Sequence, residues 1–247
     1  RQRQMCIRDR FNNTEHAASL FALQEFGNIY SRLTNPTVGT LENRLTELED
    51  GAMCVALSSG TSSVMYSLIN IMSQGDNFIT DTQLYGGTFT MFTNILPEFG
   101  ITCKKVDTTD LDLVEKSIDK NTKAIYVETI TNPGLVVADI EGLSKVAHSK
   151  GIPLIVDATF TTPALQKSLD FGADIVVHSL TKWMSGHGRV IAGAVIEKGG
   201  FEWGNGNFPL YDTPDTSYGG MRWGHDLGDL SGVAYSLRSV SYTHLRA

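Results

Sequence analysis

Long hydrophobic runs are missing from this sequence of 247 residues. No apolar stretch approaches the roughly 20 residues that a transmembrane helix needs, which argues against a membrane-spanning protein. Hydrophobic residues make up 41% and charged residues 19%, the balance of an ordinary soluble globular protein. The first residues also lack the apolar segment of a secretory signal peptide. We therefore expect a cytoplasmic protein with no membrane partner.

Cysteine and histidine are scarce and follow no metal-binding pattern. The three cysteines, Cys6, Cys54 and Cys103, show no CxxC spacing. The six histidines show no ligand spacing such as HExxH. We predict no metal site, and a reducing compartment is the simplest fit to unpaired cysteines. Cys54 lies in an apolar run and is expected to pack in the core.

Basic residues are outnumbered by acidic ones. Lysine and arginine total 20 against 27 aspartates and glutamates, which leaves a net charge of -7. Nucleic-acid binding depends on a basic face that neutralises phosphates. Nucleic acid is therefore not expected as a partner, although a local anion site is compatible with this charge.

Both ends of the chain lack periodicity and capping signals. Residues 1–10 carry four arginines against one acid, and residues 239–247 are equally unpatterned. We predict that both segments are non-native tails, and ordinary disordered termini are the alternative. Between them we predict an N-terminal arm with a first helix over residues 11–50 and one large domain over residues 51–238.

From residue 51 onward, apolar strand-like runs alternate with helical patterns. Several strands are continuous β-branched runs, which is typical of strands that are buried on both faces. Such a βαβ series predicts an α/β fold with a mostly parallel seven-stranded sheet and flanking helices. The predicted strands are 53–57, 77–80, 101–106, 123–128, 153–157, 175–178 and 191–197. The predicted helices are 37–49, 61–72, 87–96, 111–118, 140–149 and 164–171.

The residues that follow each strand are the candidate site, because ligands of open α/β sheets bind outside the carboxyl ends of the strands. After the first strand, Ser59, Gly60 and Thr61 open a helix. A glycine there exposes backbone N–H groups at the positive end of the helix dipole, which suits a phosphate. An ordinary Ser/Thr helix cap explains this motif equally well. Neither a GxGxxG nor a Walker pattern is present, so there is no nucleotide fingerprint.

Three further side chains stand at predicted strand ends. Asp157 leaves an apolar run and is expected to be half buried, so it needs a partner. The pyridine nitrogen of pyridoxal phosphate (PLP) is one such partner, and a helix cap or Mg²⁺ is the alternative. Lys182 follows the sixth strand, where partial desolvation favours the neutral amine that forms a Schiff base with an aldehyde. A surface loop lysine is the alternative. Tyr85 is placed either to stack on a flat cofactor or to pack in the core.

Together these motifs resemble the Cys/Met-metabolism (trans-sulfuration) family of PLP-dependent enzymes. That family has the aspartate-aminotransferase-like fold, PLP fold type I. The resemblance runs from about residue 11 to about residue 238. It is most similar to the O-acetylhomoserine sulfhydrylases, through segments 12–17, 26–30, 201–209 and 217–220. The motifs that carry the family resemblance are Tyr30-Ser-Arg-Leu-Thr-Asn-Pro-Thr37, Ser59-Gly-Thr61, Tyr85-Gly-Gly-Thr88, Asn132-Pro133, Asp157 and Ser179-Leu-Thr-Lys182.

The resemblance implies roles for individual residues. Lys182 carries the cofactor and shuttles protons, Asp157 pairs with the pyridine nitrogen, and Tyr85 stacks on the ring in a catalytic position. The other implied cofactor-binding residues are Ser59, Gly60, Thr61, Ser179 and Thr181 around the phosphate, Asn132 near the ring hydroxyl, and Tyr30 and Arg32. The last two reach the phosphate of a neighbouring subunit, which implies a homo-oligomer with shared active sites, a dimer within a tetramer.

The implied activity is a γ-replacement in which sulfide displaces acetate from O-acetyl-L-homoserine to give L-homocysteine, a step of methionine and cysteine biosynthesis. O-succinylhomoserine sulfhydrylase, cystathionine γ-synthase and methionine γ-lyase are alternatives within the family, and a non-catalytic phosphate-ligand-binding α/β module is the alternative from another class. Ala158 and Gly219 depart from the family's usual Asn and His, which affects substrate detail. The family's C-terminal small domain, with its substrate-carboxylate arginine, is predicted to be absent. We therefore expect this chain alone to be inactive.

Overall fold

The computed structural model describes residues 11–22, 25, 27, 29, 31 and 33–242. Within these ranges seven strands form one sheet in the order β1-β7-β6-β5-β4-β2-β3. The strands are β1 (Met53–Leu57), β2 (Asn77–Asp81), β3 (Thr102–Val106), β4 (Thr122–Glu128), β5 (Leu154–Asp157), β6 (Ile175–His178) and β7 (Gly193–Glu197).

The sheet is mostly parallel, as predicted. Strands β3, β2, β4, β5 and β6 pair in parallel, whereas β7 is antiparallel to both of its neighbours, β6 and β1. Because β7 runs against both, β1 points in the same direction as β6. All six other strands therefore end at one edge of the sheet, which we call the carboxyl edge.

Predicted and observed strand bounds differ mainly at β7. This strand begins at Gly193 rather than at residue 191. The preceding residue, Ala192, exchanges hydrogen bonds with Thr181, and Ile191 is 74% exposed. Residues 191–192 therefore belong to the connection from β6, because their partners lie in that connection and not in the sheet.

Helices flank the sheet, and two of them begin at aspartate caps. Asp110 and Asp139 accept hydrogen bonds from the backbone N–H groups of Leu113 and Gly142. The helices are α1 (Thr14–Phe21), α2 (Pro36–Glu49), α3 (Gly60–Ile69), α4 (Gly86–Thr90), α5 (Leu111–Ser117), α6 (Ile140–Ser149), α7 (Thr162–Leu165), α8 (Pro209–Asp212) and α9 (Ala234–Tyr242).

Two predicted helices are shorter than expected. The helix predicted over 87–96 is α-helical only to Thr90 and continues as a wide turn over Met91–Ile95 and a tight turn over Leu96–Phe99. Pro97 explains the change, since it lacks an N–H donor and clashes with the carbonyl of the preceding turn. The helix predicted over 164–171 splits because Gln166 and the following residue are extended.

The segment 201–209 packs at the sheet edge opposite the carboxyl edge. The Trp203 ring is 2% exposed and stacks between the rings of Tyr211 and Tyr235, at centroid distances of 5.0 and 5.3 Å. Its Nε1 donates to Glu197 Oε1 at 3.3 Å, at the last residue of β7. The backbone carbonyl of Asn207 accepts a hydrogen bond from Lys123 Nζ at 2.6 Å. This aromatic segment therefore extends the core and does not approach the carboxyl edge.

The predicted domain division stays a prediction. Residues 1–10 lie outside the described ranges. Residues 239–242, where we predict the second tail to begin, form the end of α9. The Tyr242 hydroxyl donates to Asp215, and its ring lies 5.8 Å from that of Tyr218.

Neither a spanning helix nor a metal cluster is found in the described part of the chain. None of its helices combines the length and the hydrophobicity that crossing a membrane would require. None of its His, Cys, Asp and Glu side chains gather in a group of three or more that suits a metal ion.

We predict that buried Glu197 makes stability fall with rising pH. Its side chain is 1% exposed, and burial raises its pKa from 4.5 to about 7. The folded state therefore holds a proton that the unfolded chain has released. This contribution, on the order of 3 kcal/mol, is complete below about pH 4.5 and is lost as the pH rises through about 7.

Replacement of Glu197 by Gln removes this titration. Thermal unfolding midpoints measured between about pH 4.5 and about pH 8 should fall less steeply for Glu197→Gln than for the wild type. Glu141→Gln, a change on the exposed side of α6, is the control and should follow the wild type. Equal slopes for Glu197→Gln and the wild type would contradict the prediction.

Candidate active site

A cavity of about 740 Å³ opens at the carboxyl edge of the sheet. Its walls come from the segments that follow β1, β2, β4, β5 and β6, as expected for an open α/β sheet. Every predicted site residue that the structure describes lines this cavity. They are Ser59, Gly60, Thr61, Tyr85, Asn132, Asp157, Ser179, Thr181 and Lys182. Two predicted residues, Tyr30 and Arg32, lie outside the described residues.

The start of α3 forms one corner of the cavity. Ser59 caps this helix, because its Oγ accepts from the Ser62 N–H at 3.0 Å and its carbonyl accepts from the Ser63 N–H at 3.1 Å. Within the described ranges, the N–H groups of Gly60 and Thr61 have no acceptor. Two free donors at the positive end of a helix favour an anion at this position.

Gly60 allows the turn after β6 to approach this corner. A Cβ at Gly60 would lie 2.4 Å from Ser179 Cβ, which no real side chain tolerates. The Ser179 N–H in turn donates to Thr159 Oγ1 at 2.9 Å. The Ser179 hydroxyl therefore stands beside the free N–H groups of α3, and together they offer neutral donors to a phosphate.

The Thr181 hydroxyl already has partners inside the protein. It donates to the Ala192 carbonyl at 3.2 Å and accepts from the Ala192 N–H at 3.1 Å. These two bonds close the connection between β6 and β7. A phosphate contact from Thr181 would have to replace the bond to the Ala192 carbonyl, so its predicted role stays a prediction.

Asp157 is half buried, as predicted, and both of its carboxylate oxygens are held in place. Oδ2 accepts from the Tyr126 hydroxyl at 3.1 Å, and Oδ1 accepts from the Thr159 N–H at 3.0 Å. Burial, and then the charge of Asp157, raise the pKa of Tyr126 well above its usual range, so this phenol remains a donor. The oriented carboxylate retains lone pairs for a further N–H donor.

Lys182 lies on the cavity wall directly after the turn that contains Ser179. Its backbone N–H donates to the Ser179 carbonyl at 3.1 Å. Among the residues that the structure describes, its Nζ has no hydrogen-bond or ion-pair partner. We expected partial desolvation, but Lys182 is exposed in the single chain. The residues that follow it, 186–191, are themselves exposed, so this connection does not bury the lysine.

Tyr85 stands as an aromatic wall on another side of the cavity. It precedes α4 and is 48% exposed. A Cβ at Gly87 would lie 2.7 Å from Tyr85 Cε1, so the absence of a side chain there leaves the ring its place. An exposed aromatic face in the cavity that Lys182 and Asp157 also line suits a flat ring.

Glu128 is a site residue that the sequence reasoning missed. This side chain is 5% exposed, and burial raises its pKa to about 7, with the charge of Asp157 contributing. Oε1 accepts from the Tyr85 N–H at 2.7 Å and Oε2 from the Asn132 N–H at 2.9 Å. The signal was available, since Glu128 ends a buried strand as Asp157 does.

Thr159 is a second missed residue. Its N–H and Oγ1 connect Asp157 to Ser179, so it links the carboxylate to the anion corner. A threonine in a loop carries no signal of such a role in the sequence alone.

The residues of the cavity fit PLP. The α3 corner offers donors to a phosphate, Asp157 offers an oriented carboxylate to a pyridine nitrogen, and Tyr85 offers a flat face to the ring. Lys182 offers an amine that has no partner among the described residues. These groups all line one cavity.

Comparison with known proteins agrees with this fit. The family model described as Cys/Met metabolism PLP-dependent enzyme matches residues 9–220. The chain is 46% identical over 213 residues to an O-acetyl-L-homoserine sulfhydrylase of Leptospira meyeri, covering 86% of this chain and 48% of that protein. It is 44% identical over 232 residues to a homocysteine synthase of Schizosaccharomyces pombe, covering 93% and 54%. The chain thus spans about half the length of the curated relatives it matches.

Solved structures share the fold. A Campylobacter jejuni protein assigned as an O-acetylhomoserine (thiol)-lyase, crystallised with N'-pyridoxyl-lysine-5'-monophosphate, has a TM-score of 0.85 and 36% identity, covering 98% of this chain and 65% of that one. An O-acetylhomoserine sulfhydrylase of Wolinella succinogenes has a TM-score of 0.72 and 36% identity, covering 85% and 56%. The chain therefore has PLP fold type I and belongs to the Cys/Met metabolism family of PLP-dependent enzymes.

Proposed function

We propose that the complete protein is an O-acetylhomoserine sulfhydrylase, which converts O-acetyl-L-homoserine and sulfide to L-homocysteine and acetate. The observation that carries this proposal is the convergence of three groups on one cavity: the Lys182 amine, the oriented Asp157 carboxylate and the α3 anion corner. Relatives of 44 to 46% identity that carry this activity in their names support the choice within the family.

Each residue has a distinct task in this proposal. The N–H groups of Gly60 and Thr61 and the Ser179 hydroxyl bind the phosphate. Asp157 holds a proton on the pyridine nitrogen, and Tyr85 covers one face of the ring. Pyridoxal phosphate, when bound, supplies an electron sink for negative charge at the substrate α-carbon.

Lys182 does the proton transfer. Its Nζ would hold the cofactor, and as a free amine it would accept the proton from the substrate α-carbon. In the overall reaction the γ C–O bond to acetate breaks and a γ C–S bond to sulfide forms. The carboxylate of the substrate needs a cationic partner. In the family this partner is an arginine, and we assign no residue of this chain to that role.

We further propose that the protein is a cytoplasmic homo-oligomer. The two subunits of each dimer share active sites, and the dimers assemble into a tetramer. An apolar surface beside the cavity supports this, because Trp183, Val190 and Ile191 are 68%, 58% and 74% exposed. Such a patch next to a binding site is typical of a surface that another chain covers. Tyr30 and Arg32 are proposed to reach the phosphate of the neighbouring subunit. Free Cys54 and Cys103 fit a reducing compartment.

The first test is the activity itself. The complete protein with PLP should form homocysteine from O-acetylhomoserine and sulfide, and Lys182→Ala should lower the rate by at least about 100-fold because the proton acceptor is lost. The visible absorbance of the bound cofactor should change in the same variant. Lys145→Ala, which removes an exposed lysine of α6, is the matched control and should keep both.

Several results would contradict this proposal. Release of 2-oxobutyrate from methionine without homocysteine synthesis would move the assignment to a methionine γ-lyase. A preference for O-succinylhomoserine, or for cysteine as sulfur donor, would move it to the other synthases of the family. A non-catalytic phosphate-binding module would be favoured by an inactive complete protein in which Lys182→Ala changes neither PLP binding nor the absorbance of the bound cofactor.

The second test concerns the anion corner. Gly60→Ala places a methyl group 2.4 Å from Ser179 Cβ and should separate the two halves of the corner. We expect the affinity of the apo protein for PLP to fall at least about tenfold, which corresponds to about 1.4 kcal/mol.

Gly39→Ala is the matched control for this change. Gly39 lies in α2 with no atom within 4 Å of an added Cβ. Alanine there should leave PLP affinity unchanged and stabilise the helix by about 1 kcal/mol. Titration of both apo variants with PLP provides the comparison, and wild-type affinity in Gly60→Ala would exclude the corner as the phosphate site.

A further inference from the structure

Glu128 joins two separate segments of the cavity wall. It is the last residue of β4 and lies in register with Asp157 at the end of β5. One carboxylate oxygen accepts the N–H of Tyr85, which follows β2, at 2.7 Å. The other accepts the N–H of Asn132, in the loop after β4, at 2.9 Å. The Glu128 side chain therefore bridges two loops, because its bonded residues, Tyr85 and Asn132, are 47 positions apart in the sequence.

The electrostatic environment of Glu128 disfavours a buried carboxylate. The side chain is 5% exposed, and within the described part of the chain it has no lysine, arginine or histidine partner. The nearby charges that act on it, Asp157 and Asp81, are negative and raise its pKa. A buried carboxylate without a cation costs free energy unless hydrogen bonds offset that cost. Its two backbone donors are that compensation.

Both residues that Glu128 holds are lining residues of the cavity. Tyr85 presents the aromatic wall, and Asn132 lies on the neighbouring loop. If the two loops were independent, each could be capped by its own short polar side chain, as Asp139 caps α6 through Gly142. One carboxylate shared between them makes the position of each loop depend on the other.

We propose that Glu128 is a positioning residue that couples the Tyr85 and Asn132 segments, so that both walls close on the bound cofactor ring as one unit. This inference rests on the proposed function for its ligand, but the coupling itself is a property of the protein without ligand. Glu128 acts through the two backbone N–H groups and touches no reacting atom in this role.

The test is amide hydrogen exchange of the complete apo protein, read by mass spectrometry. Glu128→Gln keeps one acceptor oxygen and places an NH₂ donor against the other backbone N–H. Only one of the two bonds can therefore survive. Coupling predicts that exchange nevertheless rises in both segments, 82–90 and 129–137, by about tenfold, because the loss of one buried bond releases the shared unit.

Asp139→Asn is the matched control, since it alters a carboxylate that caps a backbone N–H elsewhere. Its effect should stay within the first turn of α6. Faster exchange in only one of the two segments of Glu128→Gln would overturn the proposal and reduce Glu128 to two separate caps. If Glu128→Gln does not fold, Glu128→Asp provides the same test, because the shorter side chain cannot reach both N–H groups.

A second measurement separates positioning from a purely structural role. In the PLP-loaded protein, Glu128→Gln should lower the visible circular dichroism of the cofactor and reduce PLP affinity about tenfold, because the ring loses a fixed wall. Unchanged dichroism and affinity would overturn the proposal. The exchange experiment needs no substrate, so its outcome stands even if the complete protein does not use O-acetylhomoserine.

Discussion

The antiparallel pairing of β7 with both β1 and β6 is the constraint on which the cavity depends. Because of this pairing, β1 and β6 run in the same direction. The helix after β1, α3, therefore begins beside the turn after β6. Gly193, the first residue of β7, passes so close to α3 that a Cβ would lie 2.1 Å from the Ser59 carbonyl. Gly60 therefore packs against Ser179, and Lys182 follows directly after the turn that contains Ser179.

A row of buried and half-buried acids gives the carboxyl edge its chemical character. Asp81, Glu128 and Asp157 end the strands β2, β4 and β5. Each is held by backbone N–H groups or hydroxyls and has no cationic partner among the described residues. An acidic edge of this kind favours a protonated pyridine nitrogen, because a nearby negative charge stabilises the cationic form of a titratable group.

The two edges of the sheet have separate roles. Segment 201–209 helped to indicate a resemblance to sulfhydrylases, yet Trp203 packs at the opposite edge, against Glu197. Its contribution is burial of aromatic surface, which supports the sheet but does not contact the cavity. Residues beside the cavity, in contrast, are not buried: Lys182 and the apolar Trp183 are exposed in the single chain. The cavity therefore gains its shape from the sheet and has an uncovered side.

Local patterns along the chain predict the strands and the residues that end them. Continuous β-branched runs predict strands buried on both faces, and the carboxyl-edge rule then places Gly60, Asp157 and Lys182 together. The way these residues are held follows from tertiary packing, which no local pattern predicts. The bonds from Glu128 to two distant loops and from Thr159 to Ser179 connect segments that no local pattern relates. The exposure of Lys182 likewise depends on what packs over it, which propensity and periodicity do not encode.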